Sequence, residues 1–210
     1  MQRLLDLMFS SIAIIFLSPI LLLTIVILRL TGEGEIFFTQ ERVGQSKKYF
    51  RLLKFATMLK NSENLGAGTV TLKDDFRVLP FGKFLRKTKL NEIPQLFNIF
   101  LGDMSVIGPR PLHKKQFYFY NENDQILIAS IKPGLSGVGS IVFRDEEKIL
   151  QNSHNPDETY KNIITPKKAL LERWYVENIS ILLYFKLIIL TIIVVIIPSF
   201  DVKTALKIKV

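Results

Sequence analysis

Apolar positions crowd the two ends of this chain and thin out between them. Leu7 to Leu30 is almost entirely aliphatic or Phe, and Ile179 to Ile197 repeats that density. About 20 apolar residues suffice to cross the hydrocarbon core of a bilayer, so each end predicts a membrane-seeking helix. Between them the pattern shortens. Ile36–Gln40 and Tyr49–Lys54 are β-prone runs around Val43-Gly44-Gln45-Ser46, which predicts a β-hairpin. Asn61 to Val70 is polar and Gly-containing, the composition of a mobile loop. From Phe84 to Phe100 the apolar spacing is close to helical, but Pro94 interrupts it. That predicts one helix ending near Lys89 and a second starting at Asn91, with Pro94 in its first turn and Gly102 as its stop. His113 to Ile131 predicts a further helix closed by Pro133-Gly134, and Pro166 to Asn178 a charged one leading into the final apolar stretch.

The N-terminal run carries Ser18-Pro19 at its middle. Pro19 has no amide hydrogen for the carbonyl of Ile15, so the helix is expected to bend there, with the Ser18 hydroxyl compensating one turn back. Arg3 precedes the segment, and Arg29, Lys47, Lys48, Arg51 and Lys54 follow it. Positive flanks on both sides suit two cytoplasmic ends. No small-residue cleavage site follows, as a signal peptide requires. The residues alone support a re-entrant hairpin and a kinked span equally. At the other end Lys186 sits inside the apolar run, and Lys203, Lys207 and Lys209 follow it. A helix lying in the interface, with Lys186 snorkelling, is favoured there over a span.

The chain has 210 residues, a net charge of +9 and no cysteine. That length suits one domain with membrane attachments. The regions expected are a helix-break-helix over 1–30, a cytoplasmic catalytic-type domain over 31–178, and an interfacial helix with a basic tail over 179–210. Excess cations point to a lipid surface or a phosphate ligand. Nucleic acid is disfavoured, because no recognition-helix, zinc or RNP-type pattern is present. The absence of cysteine excludes disulfides and thiolate chemistry, and His113 and His154 are too few for a histidine-built zinc site. A metal would be a hard cation held by oxygen, such as magnesium.

Candidate chemistry concentrates in KTKLNEIPQLFNIFLGDMSVIGPRP, from Lys87 to Pro111. Asn91-Glu92 at a helix start would favour anions, and Glu92 is a candidate magnesium ligand. Pro109-Arg110-Pro111 brackets one arginine with two rigid residues, so its guanidinium can fork onto a phosphate. Lys54, Arg77, Arg86 and Lys87 add cations. Singly, each has a structural alternative: Asn91 as an N-cap, Glu92 as a first-turn charge, the Pro-Arg-Pro motif as a surface turn. As one ordered string beside a broken hydrophobic hairpin, they describe a pyrophosphate site facing a membrane.

That string closely resembles the monotopic phosphoglycosyl transferases, the bacterial sugar transferases. The match extends over Ser18-Pro19, FFTQERVGQ from Phe37, KFATM from Lys54, FGKFLRKTKLNEIPQL from Phe81, GDMSVIGPRP from Gly102, KPGLSG from Lys132 and YVENIS from Tyr175. The resemblance implies an α+β, mainly α-helical fold, with a re-entrant N-terminal hairpin, a small β-hairpin and interfacial amphipathic helices around a cytoplasmic active site. It also implies an inner-membrane enzyme on the cytoplasmic face. Such an enzyme moves a sugar 1-phosphate from a UDP-sugar onto polyprenyl phosphate with magnesium, initiating surface polysaccharide or glycoconjugate synthesis. A second copy of the chain and downstream glycosyltransferases are its candidate protein partners. In the family an Asp-Glu dyad supplies a nucleophile and a metal ligand, and the Pro-Arg-Pro arginine meets the phosphate-bearing substrate. Glu92 and Arg110 carry over, with Lys54 and Arg86 as further phosphate-binding cations. The nucleophile position does not carry over, because it is Asn91. Ala56 and Tyr184 also depart, standing where the family usually has a basic residue and an aspartate. The alternative reading is therefore a silent relative that binds UDP-sugar or polyprenyl phosphate as a partner or scaffold.

Overall fold

A computed structural model describes residues 1–62, 75–151, 153, 155–197 and 199–208. The loop expected over 61–70 falls outside them from residue 63 on, as do His154 and Lys209. The fold is mainly helical, with two small sheets. Helix α1 runs from Gln2 to Leu30 as one element with Pro19 inside it. The Ser18 hydroxyl donates to the Ile15 carbonyl at 2.8 Å, the acceptor that Pro19 leaves without an amide. The expected compensation is therefore present, within a helix that continues through Pro19 rather than two separate segments.

The first turns of α1 dock through polar contacts, and a stripe further along it, Leu21, Thr24 and Leu28, is also buried, with Leu21 and Leu28 in one core cluster with Phe55 and Leu85. Arg3 donates to the carbonyls of Ile99 and Phe100, at 2.5 and 2.7 Å. Buried Asp6 accepts from the Ser105 hydroxyl, the Val106 amide and the Tyr184 hydroxyl, each at 2.9 Å. Tyr184, where the resemblance leads one to expect an aspartate, thus serves as the donor for Asp6. Further along, Ile12, Ile15, Phe16, Leu22, Leu23 and Val26 are exposed. The helix is long and apolar enough to cross a bilayer, and only 17% of its most apolar window is buried within the protein. An apolar surface of that extent is suited to lipid.

Strands β1 (Phe37–Val43) and β2 (Tyr49–Phe55) form the expected antiparallel hairpin, with Phe37 opposite Phe55 and Val43 opposite Tyr49. Helix α2 (Pro80–Lys87) is followed by a left-handed Lys89 at φ 59° and a single 3₁₀ turn over Leu90–Glu92. Helix α3 (Gln95–Leu101) then begins behind Pro94 and stops at Gly102, whose φ of 100° suits glycine. Asn91 and Glu92 therefore lie in a turn ahead of α3 and not in its first turn. Pro94 explains the shift, since it takes the N-cap position and leaves the preceding residues to tighten into a 3₁₀ turn.

Strands β3 (Ser105–Ile107) and β4 (Gly134–Ser136) pair in parallel across a helical crossover. That crossover corrects the single helix expected over 113–131. Helices α4 (Lys114–Phe117) and α5 (Glu122–Ala129) are separate, because Asn121 caps α5 by accepting from the Asp124 amide at 2.9 Å. After α6 (Val138–Val142), α7 (Glu146–Gln151) and α8 (Pro156–Thr159), a π-helical turn leads into α9 (Thr165–Glu177). Helix α10 (Ile181–Ile196) buries Leu183, Leu187, Leu190 and Val194 against α9 and β3, while Leu182, Ile189, Ile192 and Val195 remain exposed. Its Lys186 donates to the Ala205 carbonyl at 2.8 Å, at the end of the short α11 (Val202–Leu206).

Candidate functional site

Three backbone anchors converge on one carboxylate. Strand β2 supplies Lys54, whose Nζ lies 3.9 Å from Glu92 Oε1. The loop after β3 supplies Arg110, with a guanidinium nitrogen 3.7 Å from the same oxygen. The 3₁₀ turn supplies Glu92 itself.

Strand β2 is held in place by Asn98 of α3. The Asn98 Oδ1 accepts from the Leu53 amide at 2.9 Å, and its Nδ2 donates to the Arg51 carbonyl at 2.8 Å. The amide side chain thereby completes the outer edge of a two-stranded sheet, as a third strand would.

The arginine loop is held from two sides. The Gly134 amide donates to the Pro109 carbonyl at 2.8 Å, and the Val43 amide to the Leu112 carbonyl at 3.0 Å. This close approach requires glycine: a Cβ on Gly134 would lie 2.1 Å from the Gly108 nitrogen. With both flanking prolines fixed, Arg110 presents its guanidinium half-exposed toward the cavity.

The electrostatics follow from burial among cations. Burial lowers the Lys54 pKa to about 8, and Arg110, Arg42 and Arg86 push the same way while Glu92 opposes them. Burial raises the Glu92 carboxyl, but Arg110, Lys54, Lys89 and Arg42 together hold it below the usual value. Burial, Arg42 and Lys54 lower His113 to about 4, so its imidazole is neutral at pH 7. The site is thus a cationic cradle around one ionised carboxylate, with more positive than negative charge.

Of the residues expected here, Lys54, Glu92 and Arg110 come together. Arg86 acts electrostatically on Lys54 and reaches the Thr57 hydroxyl at 3.5 Å. Arg77 does not join them: it is buried, forked onto both oxygens of Asp75 at 2.8 and 2.6 Å and onto the Ser62 carbonyl at 2.7 Å. Arg42 and Lys89 were missed. Arg42 lies in the FFTQERVGQ run on β1, where its guanidinium donates to the Pro111 carbonyl at 3.4 Å, a contact that the strand pattern alone does not signal. Lys89 could not be found locally, because its left-handed conformation depends on how α2 meets the next turn.

Asn91 Oδ1 is buried without a hydrogen-bond partner. That orphaned oxygen bears on the expected magnesium. Among the described residues no three His, Asp or Glu side chains converge. A magnesium ion keeps several waters and takes most remaining ligands from substrate phosphates, so one or two protein oxygens suffice. Glu92 and the Asn91 amide oxygen fit that requirement.

The cradle opens into a cavity of about 550 Å³, within the range of small-molecule sites. Glu92, Arg110 and Lys89 line its cationic part; Ala13 and Leu17 of α1 and Ile188, Ile192 and Val195 of α10 supply apolar wall.

Comparison with known proteins bears on the chain as a whole. The model of the bacterial sugar transferase family matches residues 1–198. The UDP-N-acetylgalactosamine-undecaprenyl-phosphate N-acetylgalactosaminephosphotransferase of Aeromonas hydrophila is 37% identical over 67% of this chain and 34% of its own length. The UDP-glucose:undecaprenyl-phosphate glucose-1-phosphate transferase of Klebsiella pneumoniae is 34% identical over 91% of this chain and 39% of its own. An uncharacterized sugar transferase, EpsL, of Bacillus subtilis is 34% identical over 91% of this chain and 85% of its own. The chain thus spans little more than a third of the first two relatives.

Proposed function

The chain belongs to the bacterial sugar transferase family, and from that premise we propose that it binds a UDP-sugar and polyprenyl phosphate and serves transfer of the sugar 1-phosphate between them. The observation carrying this reading is the cavity, in which a cationic cradle adjoins apolar walls supplied by two lipid-suited helices. An acceptor with a phosphate head and a long hydrocarbon chain needs that combination. A soluble phosphate donor alone does not.

In this reading Arg110 and Lys54 neutralise the phosphates, and Arg110 orients them through its fixed loop. Glu92, with the Asn91 oxygen, would hold magnesium, which supplies further neutralisation of phosphate charge when bound. Residue 91 stands where the donor phosphate must be attacked, but an amide has no anionic oxygen to offer. That favours a second reading, a binding partner that holds both ligands without turnover. Both readings require phosphate binding at Arg110. Arg110→Ala should weaken UDP-sugar or polyprenyl-phosphate binding by about 1.5–3 kcal/mol, the scale of a charge-assisted hydrogen bond. Calorimetry in a membrane mimetic measures it, and unchanged affinity for both ligands in a folded variant removes Arg110 from the site.

The membrane arrangement belongs to the same proposal. Helix α1 enters and leaves the bilayer by the cytoplasmic face, with Ser18-Pro19 at its deepest point. The support for this is Arg3 and Arg29 at opposite ends and the polar Ser18–Ile15 bond midway. Cysteines introduced at positions 2 and 33 should both be shielded from an impermeant reagent in whole cells. Labelling of position 2 from outside means that the helix spans instead.

A further inference from the structure

The same cavity has a second polar region that the phosphate chemistry does not use. Ser140 from α6, Glu146 from α7 and Lys168 from α9 line it together with the Phe143 ring. Lys168 pairs with Glu146 and stands over the Phe143 and Tyr160 rings, 5.9 and 5.5 Å from their centroids. It is almost wholly buried, at 4% exposure. The Ser140 hydroxyl is buried and has no hydrogen-bond partner. Beneath them Glu172 is also buried, with one carboxyl oxygen against the Gly139 backbone and the other unpartnered. Arg110 is among the charges acting on Lys168, so the two regions lie within electrostatic reach.

The chemistry of this region differs from that of the cradle. An ammonium paired with a carboxylate carries no net charge, Arg144 of the same wall is paired with Asp145 at 3.3 Å, and burial raises the Glu172 carboxyl behind them to about 7. Phosphate is therefore disfavoured here and drawn to Arg110 and Lys89. A neutral polyol is favoured, because each hydroxyl both donates and accepts: Glu146 accepts, Lys168 donates, and Ser140 does either. The Phe143 ring offers an apolar face to the C–H side of a pyranose. A buried hydroxyl without a partner costs stability unless a ligand satisfies it.

We propose that Ser140, Glu146 and Lys168 form a carbohydrate subsite that receives the hydroxyl groups of the sugar carried by the nucleotide donor. This rests on the proposed function and deepens it, placing sugar selection at the end of the cavity away from the phosphates. Sites built to hydrogen-bond a substrate hydroxyl discriminate strongly, since the wrong ligand leaves their polar groups unpaired.

The test is calorimetric titration of the full chain, in detergent or nanodisc, with UDP and with a panel of UDP-hexoses and UDP-N-acetylhexosamines. The unmodified protein should bind at least one UDP-sugar more tightly than UDP. Ser140→Ala and Glu146→Gln should each weaken that UDP-sugar by roughly five- to thirtyfold while moving UDP less than twofold. Ser140→Ala removes an unsatisfied hydroxyl and is expected to fold normally, so it carries the test if Glu146→Gln destabilises the protein. Equal losses for UDP and UDP-sugar would assign the cluster to the nucleotide or to the fold, and no loss for either leaves it without a ligand; both overturn the subsite. A chain that binds neither UDP nor any UDP-sugar overturns the proposed function itself, a distinct result.

Discussion

Asn91→Asp should raise UMP release from a UDP-sugar, with magnesium and polyprenyl phosphate present, by about 10³-fold or more, because loss of a covalent nucleophile ordinarily removes ~10³–10⁶ in rate. Residue 91 sits in the 3₁₀ turn beside Glu92, and its Oδ1 is buried without a partner. A carboxylate there gains the field of Lys54, Lys89 and Arg110, the cations that already hold Glu92 ionised. Against that stands repulsion from Glu92, which phosphate-bound magnesium would relieve. A phosphosugar adduct should be trappable on residue 91 of the aspartate form and absent from the unmodified chain. Comparable turnover by both forms places the nucleophile elsewhere. Glu92 is then tested first, since Asp103 is turned toward Asn98 at 3.2 Å. If neither form releases UMP while one binds UDP-sugar, the chain is a binding partner.

Asn98→Ala should lower folding stability by about 2–6 kcal/mol, because it orphans two backbone groups at ~1–3 kcal/mol each. Among the described residues the Leu53 amide and Arg51 carbonyl meet this side chain at the outer edge of β2. For a chain of this size the loss corresponds to a fall in melting temperature of roughly 5–20 °C. The functional consequence is distinct. Releasing β2 from α3 moves Lys54 away from Glu92, so phosphate binding should weaken even at temperatures where the variant is folded. A melting temperature within a degree or two of the unmodified protein would show that water replaces the amide without loss.

The residues that the sequence made legible act over short separations. Pro19 removes an amide from the carbonyl of Ile15, and Ser18, three residues on, answers it. Gly102 stops α3 through its own φ, and the β-hairpin closes across six residues. The order of Glu92 and Arg110 within one string was likewise enough to place them in one site. Errors arose where a local pattern met a competing neighbour: Pro94 displaced the start of α3 past Asn91, and Asn121 divided the helix expected over 113–131.

By itself, then, the sequence determined the family, the two apolar ends, the β-hairpin and the cationic character of the Lys54–Arg110 region, because propensity, proline and glycine geometry and charge are properties of neighbouring residues. Tertiary structure alone decided that Asn98 completes the edge of β2, that Gly134 meets Gly108 to aim Arg110, and that Arg77 turns to Asp75. It also brought Lys168 to Glu146 and Tyr184 to Asp6, across 22 and 178 residues. Such contacts depend on which surfaces the folded chain brings into register, and burial then fixes their energies, so no local pattern encodes them.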